Sequence, residues 1–183
     1  MQSLRTHARP LVLAAGTLIA LGAASTASAR GVITFAGELT AATCQVHGVD
    51  RPDNTGDFVV DLPTLSSAQL GPVGVPTGHT RFGLQLKDCD ATVNRVQAFF
   101  EAGPHLDSVT NTLRPSNGGP VHFALYNADG GAIRVGDLTS QTAGRQYVGD
   151  ERMYFDVAYV RVDPGPITPG TFEGMVTYAL NYL

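Results

Sequence analysis

Lysine is almost missing from this chain of 183 residues, where Lys87 stands alone. Charged residues of both signs make up only 15% of it, against about 25% in an ordinary globular domain. The basic footprint that nucleic acid requires is lacking, so no nucleic-acid partner is expected. A surface that is polar but largely uncharged suits a protein that packs against copies of itself. The signatures of catalysis are lacking too. There is no Gly-x-Ser-x-Gly elbow, no His-Glu-x-x-His and no Gly-x-x-x-x-Gly-Lys-Ser/Thr loop. Nor does any stretch carry a long helical period, which argues against an α/β fold.

The residues that could still support chemistry are few and scattered. His47, His79 and His105 fall in or beside expected loops, and His122 falls in an expected strand. All four read as surface or strand-face residues rather than metal ligands. Asp88 and Asp90 flank Cys89 on the same side of a strand, where a solvated strand end explains them better than a paired acid and base. No enzyme activity, metal or cofactor is expected.

At the start of the chain, Arg5, His7 and Arg9 precede an uncharged run over 11–24, which small residues follow up to Ala29. That order is the order of a secretory signal over 1–29, cut after Ala29, with a retained anchor as the alternative. The run is short and rich in Gly and Ala for a membrane span. Without it 154 residues remain, carrying 10 basic and 16 acidic side chains and a formal charge of −6. That length suits one domain. In an exported protein the two cysteines, Cys44 and Cys89, read as one disulfide.

What the remaining sequence does have is two-residue alternation. Ile33, Phe35, Gly37, Leu39 and Ala41 form one row near the start. Phe172, Val176, Tyr178, Leu180 and Tyr182 form another over 170–183, interrupted by Gly174, and that row is expected to be buried. Between them strands are expected over 58–62, 81–88, 95–101 and 153–162, with a short one at Leu113. A turn or two of helix is expected over 64–70. An Asp-Gly-Gly at 129–131 between two β-rich runs predicts a hairpin of 121–126 with 132–135. Three prolines, at 164, 166 and 169, set the direction of the last strand. Such a run of strands predicts an all-β antiparallel sandwich.

Four pieces, in this order, resemble pilins of the chaperone–usher (type 1 fimbrial) class. They are Ile33-Thr34-Phe35-Ala36-Gly37-Glu38 before a cysteine, Val60-Asp61-Leu62-Pro63, Phe82-Gly83-Leu84-Gln85-Leu86-Lys87-Asp88-Cys89, and the terminal Gly170 to Tyr182 pattern. The resemblance implies an incomplete immunoglobulin-like sandwich that lacks its last strand, completed by a donor strand from a neighbouring subunit or a chaperone. It implies a donor-strand extension over 30–42, with Ile33, Phe35, Gly37 and Leu39 entering the neighbour, and a pilin domain over 43–183. It implies a chaperone- and acceptor-groove strand at Gly170, Phe172, Gly174, Val176, Tyr178, Leu180 and Tyr182, and a disulfide between Cys44 and Cys89.

The function so implied is that of a structural subunit of a cell-surface fimbria, polymerised by donor-strand exchange and supporting bacterial adhesion. Its partners would be other pilin subunits, a periplasmic chaperone and an outer-membrane usher, on an export route through the periplasm to the fimbrium. Cleavage after Ala29 leaves a short lead before Ile33, and an earlier cut near Ala24 would lengthen it. Alternation alone also fits an ordinary sandwich in which 33–41 and 172–182 are its own first and last strands. The competing function is a tip adhesin or a secreted β-sandwich carbohydrate-binding module. An adhesin of this class resembles two tandem domains without a donor segment, so one domain and a row at Ile33 to Leu39 favour the structural subunit.

Overall fold

Where apolar residues alternate on a strand, one face is available to the core and the register is fixed, because a slip of one residue would turn that face outward. The computed structural model of the protein describes residues 44–50, 56–141, 145–146 and 152–183. All of these lie within the unit Leu39–Leu183. In chain order the strands are β1 (Gln45–Gly48), β2 (Pro76–Lys87), β3 (Arg95–Glu101), β4 (Leu106–Asp107), β5 (Thr112–Leu113), β6 (Val121–Asn127), β7 (Arg145–Gln146), β8 (Arg152–Arg161) and β9 (Thr177–Tyr182). They form two sheets, one in the order β1-β2-β8-β6-β5-β4 and one in the order β7-β3-β9. Every strand pairing is antiparallel. The molecule is thus the all-β immunoglobulin-like sandwich that the sequence predicts.

The inward rows of both sheets meet in one cluster. Leu84 and Leu86 of β2, Val96, Ala98 and Phe100 of β3, Phe123 and Leu125 of β6, and Met153, Phe155 and Val157 of β8 are all buried in it. Phe100 lies at its centre, edge-on to Phe155 at 4.9 Å and 87° and to Phe82 at 6.2 Å and 72°. These are the offset geometries that aromatic quadrupoles favour.

Several expected elements take a different form. The strand expected over 81–88 begins earlier, at Pro76, and contains a bulge between Thr77 and Thr80. Gly78 occupies the bulge with φ 70°, and a Cβ there would stand 3.0 Å from a Leu65 methyl and 3.2 Å from the Tyr159 ring. Only glycine meets both conditions. Residues 64–70 form a turn rather than a helix, closed by Gln69 N donating to Ser66 O at 3.0 Å, while the Ser66 side chain bonds the Gln69 amide oxygen. The hairpin turn after β6 forms, with Asn127 N donating to Gly131 O at 2.8 Å. Its second arm, however, makes only a single bridge, Tyr126 to Ala132. His47 and His79 lie within β1 and β2 rather than in loops. Asp88 and Asp90 are exposed, as expected.

One side chain stands in for a strand. Gln141, 1% exposed, accepts from Phe100 N at 2.6 Å and donates to Phe100 O at 3.1 Å, the two bonds a neighbouring strand would make. It also donates to Arg134 O, and its own carbonyl accepts from Gln97. Gln141→Leu keeps the volume but leaves the buried N–H of Phe100 unpaired, while Phe100 O keeps its bond from Gly136 N at 2.9 Å. We expect a loss of roughly 1 to 3 kcal/mol in unfolding free energy, measured by urea titration.

His122 on β6 is buried, and its Nδ1 lies 2.7 Å from Thr112 Oγ1 of β5. Burial is the main influence on its pKa and lowers it from 6.5, while the charge of Asp107 pulls upward and that of Arg114 downward. As pH falls, the unfolded chain takes up this proton before the folded one does. The contribution of His122 is therefore fully present above pH 6.5 and is lost as pH falls through the folded value. The urea midpoint should decline between pH 7 and pH 5, and His122→Gln should flatten that slope.

Candidate functional site

β9 forms the edge of its sheet, and its register exposes an asymmetry. Tyr178, Leu180 and Tyr182 pair with Phe100, Ala98 and Val96 of β3. Residues paired directly across a sheet share a face. On β3 those three are 1%, 3% and 1% exposed. On β9 all three are only half-buried. The cover that β3 enjoys and β9 lacks must come from the other side of β9, where among the described residues no strand pairs.

A second half-covered row lies across from it. Phe58, Val60 and Leu62 are half-buried and packed on the core, alternating with exposed Asp57, Val59 and Asp61. Residues 57–62 have the strand alternation that the sequence predicts, but form no ladder with either sheet. Contacts at both ends locate them. At one end Tyr178 Oη donates to Gly56 O at 2.8 Å. At the other, Leu65 and Pro63 pack on Gly78 beside Tyr159, whose ring centre is 5.8 Å from that of Phe172. As the first bank climbs from 56 to 65, the second falls from 178 to 172, so the two banks run antiparallel. Between them the floor is aromatic, with Phe58 on Phe82 at 6.4 Å and Phe172 on Phe123 at 5.6 Å.

The expectation of one strand over 170–183 is corrected here. Only Thr177–Tyr182 pairs. β3 ends at Glu101, opposite Thr177, and the chain beyond it turns at Gly103 and Pro104, so residues 170–176 have no ladder partner there. They reach instead toward the segment after β5, where Ser116 N donates to Glu173 O at 2.7 Å and Glu173 N donates to Ser116 Oγ. The expected burial is also corrected, since Phe172, Val176, Tyr178, Leu180 and Tyr182 are half-buried throughout. Gly170 sits in an exposed bend. Gly174 passes so close over Phe123 that a Cβ would fall 2.5 Å and 2.8 Å from its ring atoms.

Cys44 and Cys89 form the expected disulfide. Cys44 N also donates to Tyr182 Oη at 3.0 Å, which ties the start of β1 to the end of β9. Ile33, Phe35, Gly37 and Leu39 lie outside the described residues. Sequence reasoning missed the bonds from Tyr182 to Cys44 and from Tyr178 to Gly56. The available signal was two half-buried tyrosines four residues apart, each with a hydroxyl that needs a partner. Burial first, and the charge of Asp57 second, raise the pKa of Tyr178 above its ordinary 10.0 and keep that hydroxyl a donor at neutral pH. Elsewhere Asp107, Arg114, His122 and Pro120 line a recess of about 620 Å³, in which Arg114 and Asp107 pair at 3.4 Å. Among the described residues no three His, Cys, Asp or Glu side chains are grouped to hold a metal ion.

Known proteins resemble this chain in sequence and in fold. The chain is 39% identical over 84 residues to the fimbrial protein FimX of Bordetella pertussis, a match spanning 46% of this chain and 40% of that protein. It thus covers less than half the length of that relative. It is 28% identical over 176 residues to the F17 fimbrial protein of Escherichia coli, spanning 91% of this chain and 95% of that one. The crystal structure of the P pilus rod subunit PapA superposes with a TM-score of 0.59 at 18% identity, over 76% of this chain and 99% of that one. The family model of fimbrial proteins matches residues 33–183, every strand of the sandwich and the alternating segment before it, and on that match the chain belongs to the fimbrial protein family.

Proposed function

We propose that this fimbrial protein is a structural subunit of a cell-surface pilus, polymerised by strand donation between neighbouring copies or related subunits. The observation that carries the proposal is the unequal cover of two paired strands, with Val96, Ala98 and Phe100 buried and Tyr182, Leu180 and Tyr178 beside them half-open. One added strand between β9 and residues 57–62 would supply the missing cover and pair the free edge, which is recognition by β-strand addition. Residues 30–42 carry a row of the right period, with Ile33, Phe35 and Leu39 to enter the groove and Gly37 where the backbone must come close. Burying three such side chains is worth on the order of 5 to 9 kcal/mol before ordering costs. That is comparable with the stability of a whole domain, about 5 to 15 kcal/mol. The subunit is therefore weak alone and strong in a fibre. Until a neighbour arrives, a periplasmic chaperone fills the groove, and an outer-membrane usher exchanges it during export.

The test separates the two roles of the chain. Without residues 30–39 the subunit should still bind its chaperone and accept a strand, yet fail to add to the end of a growing fibre. Normal fibre growth by the trimmed subunit, seen by electron microscopy, would overturn the donor assignment. Tyr182→Ser should weaken capture by the chaperone, with co-purification as the measure.

A further inference from the structure

The outer face of the larger sheet gathers groups that neither the core nor strand addition uses. Tyr126 of β6, Asp156 of β8 and Arg81 of β2 lie directly across from one another. Tyr154, two residues before Asp156 on β8, lies opposite Gly83 of β2. Their strand neighbours Leu84, Leu125 and Phe155 fill the core, so by alternation these side chains point outward. The bulge after Thr77 carries His79 onto the same face, where its ring centre lies 5.0 Å from that of Tyr126. Arg81 holds Asp156 by two bonds of 3.2 Å, one from Nε and one from Nη2, and Nη2 also reaches Ala128 O. Gly83 makes room for Tyr154, since a Cβ there would fall 3.0 Å and 3.1 Å from its ring atoms. The result is an ion pair bordered by two tyrosine rings.

We propose that this patch binds a neutral carbohydrate, one hexose unit lying against the tyrosine rings with its hydroxyls on the Arg81–Asp156 pair. The pair is preset but not used up. Each carboxylate oxygen accepts one bond from Arg81 and keeps a second lone pair, and the Nη1 amino group is left over from these contacts. Its side chains are 58% and 17% exposed, so both partners meet solvent. The hydroxyls of Tyr126 and Tyr154 have no partner among the described residues. Burial raises the pKa of Tyr126 above its ordinary 10.0 and keeps that hydroxyl a donor. A pyranose offers the complement: vicinal hydroxyls for the carboxylate and guanidinium, and a C–H face for the rings. Other partners match less. The two charges cancel, so a phosphate or a nucleic acid meets no net attraction. The exposed large apolar side chains, Val59, Val73, Val109 and Met175 among them, lie on other segments, so the patch lacks the apolar centre of a protein interface. The proposal does not depend on strand addition.

The mature protein, purified in its assembled state and labelled with a fluorophore, is applied to immobilised glycans. The probes are lactose, cellobiose, mannobiose and chitobiose, beside sialylated and sulfated lactose. The wild type should bind at least one neutral probe. Arg81→Gln should lower that affinity about ten-fold or more, as loss of charge-assisted bonds does. Tyr126→Phe keeps the ring and should lower it roughly two- to ten-fold, the range for one neutral hydrogen bond. Tyr154→Ala removes a stacking ring and should act in the same direction. Neutral-probe binding that all three variants retain would overturn the site, as would wild-type binding to the anionic probes alone or to none. Loss of assembly by Arg81→Gln, with an unchanged unfolding midpoint, would mean that this face packs against a second copy, and would overturn the proposal too. If Tyr154→Ala does not fold, Arg81→Gln and Tyr126→Phe decide.

Discussion

With Cys44 and Cys89 both replaced by serine, the subunit is expected to lose about 2 to 5 kcal/mol of unfolding free energy, as small secreted domains do when a native crosslink is removed. The bridge spans a sequence separation of 45, for which the chain-entropy account gives on the order of 4 kcal/mol. Local structure makes the dependence sharper. β1 has four residues, and among the described residues it is an edge strand whose ladder runs to β2 alone. Cys44, just before it, is held by the disulfide and by the Tyr182 hydroxyl, so without the covalent tie this end keeps one neutral hydrogen bond and the four-residue ladder to β2. A domain already short of a strand has little reserve to absorb such a loss. Urea unfolding of the double variant against the wild type measures it. A change under about 1 kcal/mol would mean that the β1 to β2 ladder holds this end by itself. The double substitution is preferred because a single one leaves a reactive thiol.

Alternation made most of the sandwich legible. The rows of 81–88, 95–101 and 153–162 appear as β2, β3 and β8, displaced by a few residues at most except where β2 begins early at its bulge. Alternation says which side chains share a face, but nothing about whether a neighbour exists to pair with. That is why residues 58–62 keep the in-and-out burial of a strand without a ladder, and why 170–176 leave β3 where it turns away at Gly103 and Pro104. The composition also gave no sign of Gln141, because a glutamine that completes a strand edge resembles any surface glutamine in a polar loop. At the candidate site the acceptor row was visible as residues. Its half-open state was not, since how far a row is covered depends on what lies beside it rather than on any residue in the row.

Gly174 supplies the other large effect, because it lies where the acceptor row crosses the aromatic floor. A Cβ at this position would fall 2.5 Å and 2.8 Å from two ring atoms of Phe123, so something must move. The ring is poorly placed to yield. Phe123 is 7% exposed, and its ring centre stands 5.6 Å from those of Tyr159 and Phe172, which are themselves 5.8 Å apart. The backbone must therefore lift, and it carries Phe172 out of the floor with it. Gly174→Ala is expected to cost about 1 to 3 kcal/mol, the usual penalty of overpacking a core, and Gly174→Val more. The larger consequence falls on assembly. Residues 30–42 are unchanged, so on the strand-donation reading a Gly174→Val subunit still enters a wild-type neighbour's groove. Its own groove, with the floor displaced, accepts nothing. Mixed with wild type it should end each fibre it joins, so that mean fibre length in micrographs falls as the variant fraction rises. The subunit trimmed of residues 30–39 behaves in the opposite way, accepting but not donating, and it can occupy only the other end. Fibres of unaltered length at an equal mixture, with the variant present in them, would show that Gly174 does not shape the groove.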